Sequence, residues 1–208
     1  MLTEITRYLQ ALAVDAQTLA TKRMQLLRPL AEHICGCQSR GEDIHLVFIC
    51  THNSRRSHFG QVWAAAAAAY LGIPGVITYS GGTEATACNE RTVAALQRVG
   101  FQIANPGGHN PRYQVNMGEG PVLECWSKTF DDPANPAGNF AAVMTCTEAD
   151  KNCPLISGAT LRVPLPYEDP KVSDDTEEEV DIYDARCREI ASEMLWLMEQ
   201  VHNRPANQ

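Results

Sequence analysis

The sequence predicts an open parallel α/β sheet of about four strands with helices on both faces, preceded by a helical extension and interrupted by an insertion. Three observations carry that expectation. Ile44 to Ile49 is an apolar run broken only by His45, as in a strand buried on both faces of a parallel sheet. An alanine-rich segment follows, with six consecutive alanines that have no other sensible reading than helix. A second apolar run, Val76 to Ser80, comes next, and such alternation joins parallel strands through right-handed crossovers. At 208 residues with 44% hydrophobic content, the chain suits one globular domain plus an extension, or two small ones.

Residues 1–43 read as the extension. Leu2, Ile5, Leu9, Leu12, Ala16 and Leu19 recur at spacings of three and four, and Leu26, Leu27, Leu30 and Ile34 continue the stripe. Pro29 predicts a kink or break. A stripe of this kind covers apolar surface within its own chain or across a homodimer. Gln38 to Asp43 reads as a linker, and the main domain is expected over 44–208. Ser57 to Leu71 is the first crossover helix, ended by Gly72-Ile73-Pro74-Gly75. Gly81-Gly82 stops the second strand. Asn89 to Val99 is helical, with Gly100 at its C-terminal cap. Residues 104–139 are rich in Gly, Pro and Asn and read as an insertion carrying a hairpin or ordered loop around Val122–Trp126. Phe140 to Thr145 and Thr160 to Val163 supply the third and fourth core strands. Asp174, Asp175 and Thr176 are expected to open the last helix, with Thr176 and Glu179 as a capping box. Val180, Tyr183, Cys187, Ile190, Met194, Leu197 and Val201 form its buried face, which ends before Pro205.

The net charge of -8 argues against a nucleic-acid partner, which would need a basic face. No apolar run approaches membrane-spanning length, so no membrane partner is expected. The N-terminus also lacks the layout of a signal peptide. A cytoplasmic, reducing setting is therefore expected, and the eight cysteines read as working or buried thiols rather than disulfides.

The candidate chemistry lies in Cys50-Thr51-His52-Asn53-Ser54-Arg55-Arg56-Ser57, between the buried strand and the first crossover helix. Backbone amides of such a loop form an anion-binding nest, and the following helix adds the positive end of its dipole. Arg56 can grip two oxygens of a tetrahedral anion. The same field favours the thiolate of Cys50. Downstream, Cys146 ends a core strand at the same sheet edge, so its sulfur could meet that of Cys50. Cys153 follows seven residues later, with Pro154 and Gly158 marking mobile backbone. Two such thiols beside a nucleophilic one suggest thiol–disulfide exchange. The plainer readings are ordinary buried cysteines or a zinc pair, and no second pair stands at zinc-like spacing.

The loop resembles the phosphate loop of the low-molecular-weight protein tyrosine phosphatase superfamily. Val143 to Pro154, with its two cysteines about an acidic helix, resembles the redox segment of the thioredoxin-coupled arsenate reductases within it. The resemblance covers roughly 44–200 outside the insertion. It implies Cys50 as nucleophile, Arg56 as the anion-binding arginine, Cys146 and Cys153 as relay thiols, and Asp169 as general acid. Thr51, His52, Asn53, Ser54, Arg55 and Ser57 would line the substrate. Asp131 and Asp132 in the insertion are rivals to Asp169, and both sites precede a proline. Two residues depart from the family pattern: His52 replaces a usual glycine, at an expected positive-φ position, and Arg55 replaces a small residue. Both would make the mouth more cationic. Gln61 stands where some reductases carry an acidic potassium ligand, so that site is not expected.

The implied activity is reduction of arsenate to arsenite through a three-cysteine relay, with no metal or organic cofactor. Thioredoxin stands ahead of glutaredoxin as reductant. The alternative is a phosphatase acting on phosphotyrosine or another phosphomonoester through a phosphocysteine. A non-catalytic anion or redox sensor is a third reading. Cys35 and Cys37 could take a soft metal or As(III), though an inert pair is the plainer reading. Cys88, Cys125 and Cys187 read as core, Trp63 and Trp196 as packing, and Trp126 as a shaper of the active-site mouth.

Overall fold

The computed structural model describes residues 1–153 and 155–204. Four parallel strands form the main sheet: β1 (Ile44–Cys50), β2 (Val76–Gly82), β6 (Phe140–Met144) and β7 (Ala159–Pro164). Their order across the sheet is β2-β1-β6-β7. The chain leaves β1 to one side through α3 (Arg56–Tyr70) and later returns to its other side as β6. The strand order therefore reverses at β1, which opens a crevice at its carboxyl end. Cys50 is the last residue of β1, and Cys146 lies two residues beyond β6 on the other side of that crevice.

The sheet alternates as buried strands must. Leu46, Phe48, Ala141 and Val143 face a large core shared with α1 (Thr3–Gln17), α2 (Thr21–Ser39), α3, α4 (Glu90–Arg98) and α6 (Glu179–His202). Val47, Ile49, Phe140, Ala142 and Met144 face a smaller cluster covered by the short α5 (Thr147–Asn152) and flanking loops. Helices thus lie on both faces, but very unequally.

The stripe of the extension is consumed inside the chain: Ile5, Leu9, Leu12 and Ala16 are fully buried in the large core. The stripe thus packs within the chain. The break falls at 18–20, not at Pro29, which α2 carries inside its span. Trp63 on α3 joins these layers. Its ring stacks on Tyr8 at 5.4 Å and meets Phe101 edge-on at 5.0 Å, and its Nε1 donates to Cys187 Sγ at 3.2 Å. Gly60, one turn earlier, is fixed by Phe48, because an added Cβ would lie 2.4 Å from that ring.

The insertion, with the two residues leading into it, forms a three-stranded antiparallel meander of β3 (Gln102–Ala104), β4 (Tyr113–Asn116) and β5 (Leu123–Cys125). The last helix starts at Glu179, later than expected, and the capping box does not form. Glu179 turns its carboxylate to the Asp175 N–H at 2.6 Å and to Arg91 at 2.6 Å, while Thr176 donates back to Ser173 O. Val180 is exposed, and the rest of the expected face from Tyr183 to Val201 is buried. Pro205 lies outside the described residues. Among the described residues, no helix is long and apolar enough to cross a membrane.

Candidate active site

Thr51 to Arg55 turns from the end of β1 into α3. Asn53 fixes the shape of the turn. Its backbone is in the left-handed region (φ 45°), and it is fully buried. Its Nδ2 donates to Ser57 Oγ at 2.8 Å, its Oδ1 accepts from the Lys128 N–H at 2.9 Å, and its carbonyl is 2.8 Å from His58 Nε2. His58 Nδ1 lies 3.2 Å from Ser80 Oγ. Complete burial, aided by Lys128, pushes the imidazole down to about 3, so it is neutral. In that state Nε2–H donates to Asn53 and Nδ1 accepts from Ser80. Ser57 Oγ already receives the Asn53 amide, which leaves its proton for Cys50 Sγ at 3.2 Å. The backbone N–H groups of His52, Asn53, Ser54 and Arg55 have no acceptor among the described residues. Amides left free in such a turn form a nest for an anion.

The positive-φ residue of the loop is Asn53, not His52. Asparagine tolerates the left-handed region, so His52 carries no backbone penalty there. Its ring pairs with Glu84 at 3.0 Å, and the mouth gains little charge from it. Arg55 is also tied up: Nε donates to Tyr183 OH at 2.6 Å and Nη2 to Asp174 Oδ2 at 2.7 Å. Its guanidinium holds the segment after Asp169 instead of adding charge to the mouth. Ser54 Oγ donates to Ala87 O at 2.7 Å, so only its backbone is left for a ligand.

Arg56 is nearly buried. Its Nη1 donates to Tyr167 O at 3.1 Å and its Nη2 to Asp169 Oδ2 at 2.5 Å. Its Nε is a buried donor with no partner among the described residues. Asp169 Oδ1 caps the 3-10 turn Pro170–Ser173 through the Lys171 N–H at 3.1 Å. Of the rival carboxylates, Asp131 is exposed and Asp132 caps the Ala134 N–H at 2.9 Å. The carboxylate on the arginine is Asp169.

Cys146 is the N-cap of α5, where its Sγ accepts from the Ala149 N–H at 3.3 Å and lies 3.4 Å from Thr51 Oγ1. Cys50, Cys146 and the partly buried Cys153 all pack in the smaller apolar cluster, on the thinly covered face. All eight cysteines are free thiols. Arg162 staples the segment: Nη2 donates to Asp150 O at 2.6 Å and Cys153 O at 3.2 Å. Pro154, expected to mark mobile backbone, lies outside the described residues. Gly158 serves close packing instead, because a Cβ there would lie 2.1 Å from Ala137 O.

Elsewhere, Cys37 Sγ sits 3.6 Å from His33 Nε2, and no group of three metal-binding side chains forms among the described residues. Burial pushes Cys125 and Cys187 up to about 12 and Cys88 well up, so these thiols are inert. Gln61 is buried and donates to Thr78 O and Glu124 O. Trp126 lies under Arg112 and Lys128 in a groove beside β2. Sequence reasoning missed His58, Tyr167 and Lys128. Only His58 left a signal, as a lone polar ring entering an otherwise apolar helix face.

A cysteine closing the first strand at the sheet's switch point, with this loop and an arginine at the helix start, is the arrangement of the low-molecular-weight phosphatase fold. Solved structures agree. The chain's fold matches a YwlE mutant from Bacillus subtilis with a TM-score of 0.53 and 14% identity, covering 76% of this chain and 99% of that one. It matches the low-molecular-weight protein tyrosine phosphatase of T. tengcongensis with a TM-score of 0.51 and 14% identity, over 76% and 99%. The sequence relatives are more particular. "Arsenate reductase 2" of Staphylococcus epidermidis is 28% identical over 125 residues, 60% of this chain and 77% of the relative. "Arsenate reductase" of Bacillus subtilis is 29% identical over 146 residues, 69% and 86%. No family model matches the chain.

Proposed function

We propose that this chain reduces arsenate to arsenite. Arsenate sits on the free amides of the loop and on Arg56. The Cys50 thiolate attacks arsenic, an As–O bond breaks, and Asp169 protonates the departing oxygen. Cys146 then attacks Cys50 Sγ. The S–As bond breaks with its electron pair left on arsenic, which falls from As(V) to As(III) and leaves as arsenite. Cys153 attacks Cys146 Sγ, freeing Cys50, and the Cys146–Cys153 disulfide is reduced by an external dithiol, thioredoxin ahead of glutaredoxin. Such chemistry suits a reducing, cytoplasmic setting. The observation that supports a relay over simple hydrolysis is the packing of all three thiols in one apolar cluster. The relatives' names point the same way.

The test pairs arsenate-dependent NADPH oxidation, with thioredoxin and its reductase, against aryl phosphate hydrolysis. Cys146→Ser should lose arsenate turnover and keep any hydrolysis that Cys50 supports. Arsenate turnover that survives Cys146→Ser would overturn the relay. Hydrolysis without arsenate turnover in the wild type would leave a phosphatase.

A further inference from the structure

A groove of about 690 Å³ lies between β2 and the inserted meander. That volume is in the range of small-molecule sites. Ala65, Ala68 and Ala69 of α3 line it, with Ile77 on β2 and Val122 and Leu123 in the insertion. Ile77 and Val122 are exposed there. Two polar groups in this apolar lining lack partners. Lys128 is only 4% exposed, and its ammonium makes no hydrogen bond or ion pair among the described residues, with Asp132 acting on it only through its field. It rests 4.0 Å over the Trp126 ring, and burial pushes it down to about 8. Thr78 Oγ1 is buried with no hydrogen-bond partner, and Thr78 is 5% exposed.

A largely buried ammonium without a contacting ion-pair partner is costly, and a ligand carrying a carboxylate relieves the cost. The groove's own carboxylates do not serve. Glu124 is held by Gln114 at 2.7 Å, and Glu119 is exposed. A peptide strand added to β2 is disfavoured too, because Gln61 Nε2 bridges Thr78 O at 3.4 Å and Glu124 O at 3.2 Å and closes the slot between the strands. A mostly apolar groove with one cation lacking an ion pair and one spare hydroxyl fits a short amphiphile.

We propose that this groove binds a small apolar monocarboxylate, with its carboxylate on Lys128, a hydrogen bond from Thr78, and its chain along the alanine and valine wall. Octanoate and octan-1-ol, which differ only in the head, are the probes, and calorimetric titration of the full chain is the readout. Octanoate should bind saturably and at least tenfold more tightly than the alcohol. Lys128→Met should weaken octanoate at least tenfold and leave the alcohol unchanged. Thr78→Val, which keeps the shape of the side chain, should weaken octanoate severalfold and keeps the proposal testable if Lys128→Met does not fold. Equal affinity for the two probes, no saturable octanoate binding, or octanoate binding indifferent to both substitutions would each overturn it.

Discussion

At Asn53, one side chain and one carbonyl close three hydrogen bonds about a backbone in the left-handed region, and each bond leads to a different part of the site. The bond to Ser57 matters most for Cys50, because it orients the hydroxyl toward the sulfur. A hydrogen bond to a charged group contributes about 1.5–3 kcal/mol, so Ser57→Ala should slow alkylation of Cys50 by iodoacetamide and slow turnover roughly 10–100-fold. A change below about twofold would dismiss that role. His58 carries a pH signature. The unfolded chain protonates it near pH 6.5, whereas burial holds the folded imidazole neutral to about pH 3. Between those values the folded state binds fewer protons. Its contribution is therefore complete above pH 6.5 and is lost as pH falls toward 3, by about 1.4 kcal/mol per unit. His58→Gln should lose less stability than wild type between pH 6.5 and 4 in urea unfolding. Parallel losses would show that His58 is not the titrating group.

Among the elements, those read from a run or a period were legible, and those set by contact between distant segments were not. The buried strands from Ile44 and Phe140, the alanine helix and the stripe from Leu2 follow from local pattern. Thr176 and Glu179 have the spacing of a capping box, but Arg91 and the Asp175 N–H compete for the carboxylate, and nothing local reveals them. In the site, Arg56 pairs with Asp169, and Cys50 ends the strand that leads into the same loop. The engagement of Arg55 with Asp174 and Tyr183 depends on where α6 lands. Gly81-Gly82 shows the same limit. The pair is not a strand stop, since β2 runs through both residues and sets Gly82 opposite Cys50. Three segments crowd there: a Cβ at Gly81 would lie 2.4 Å from Phe130 Cα, and one at Gly82 2.4 Å from Glu84 O and 2.6 Å from Thr51 O. All of these atoms are backbone and cannot rotate aside. Gly82→Ala should therefore cost about 1–3 kcal/mol or more and displace the loop at Thr51. Chemical denaturation measures the first effect and the affinity for phosphate the second. A variant matching wild type in both would show that the crossing has slack.

Over the whole molecule, the first two helices belong to the same core as the sheet, and one polar chain ties the second of them to the arginine of the site. Arg23 of α2 binds Glu193 of α6 through Nε at 2.5 Å and Nη2 at 2.8 Å. Its Nη1 reaches Pro166 O at 3.0 Å. Glu193 accepts from Tyr167 OH at 2.6 Å, and the Tyr167 carbonyl holds Arg56. Glu193 is 1% exposed, and Arg23 is its ion-pair partner. Removing one partner of a buried pair leaves an uncompensated charge, at a cost of about 3–5 kcal/mol, whereas replacing both by apolar groups is often neutral. Arg23→Met alone should therefore lower the melting temperature by roughly 6–20 °C, at about 2–4 °C per kcal/mol for a chain of this size. Arg23→Met with Glu193→Leu should recover much of that loss. The double variant also frees Tyr167 OH, so Tyr167→Phe is added to avoid a buried hydroxyl without an acceptor. Differential scanning calorimetry of the single, double and triple variants decides the matter. A single variant as stable as wild type would mean that Glu193 is charge-balanced by something other than Arg23. A triple variant no more stable than the single would mean that the loss comes from the missing hydrogen bonds and ion pair themselves and not from a stranded charge.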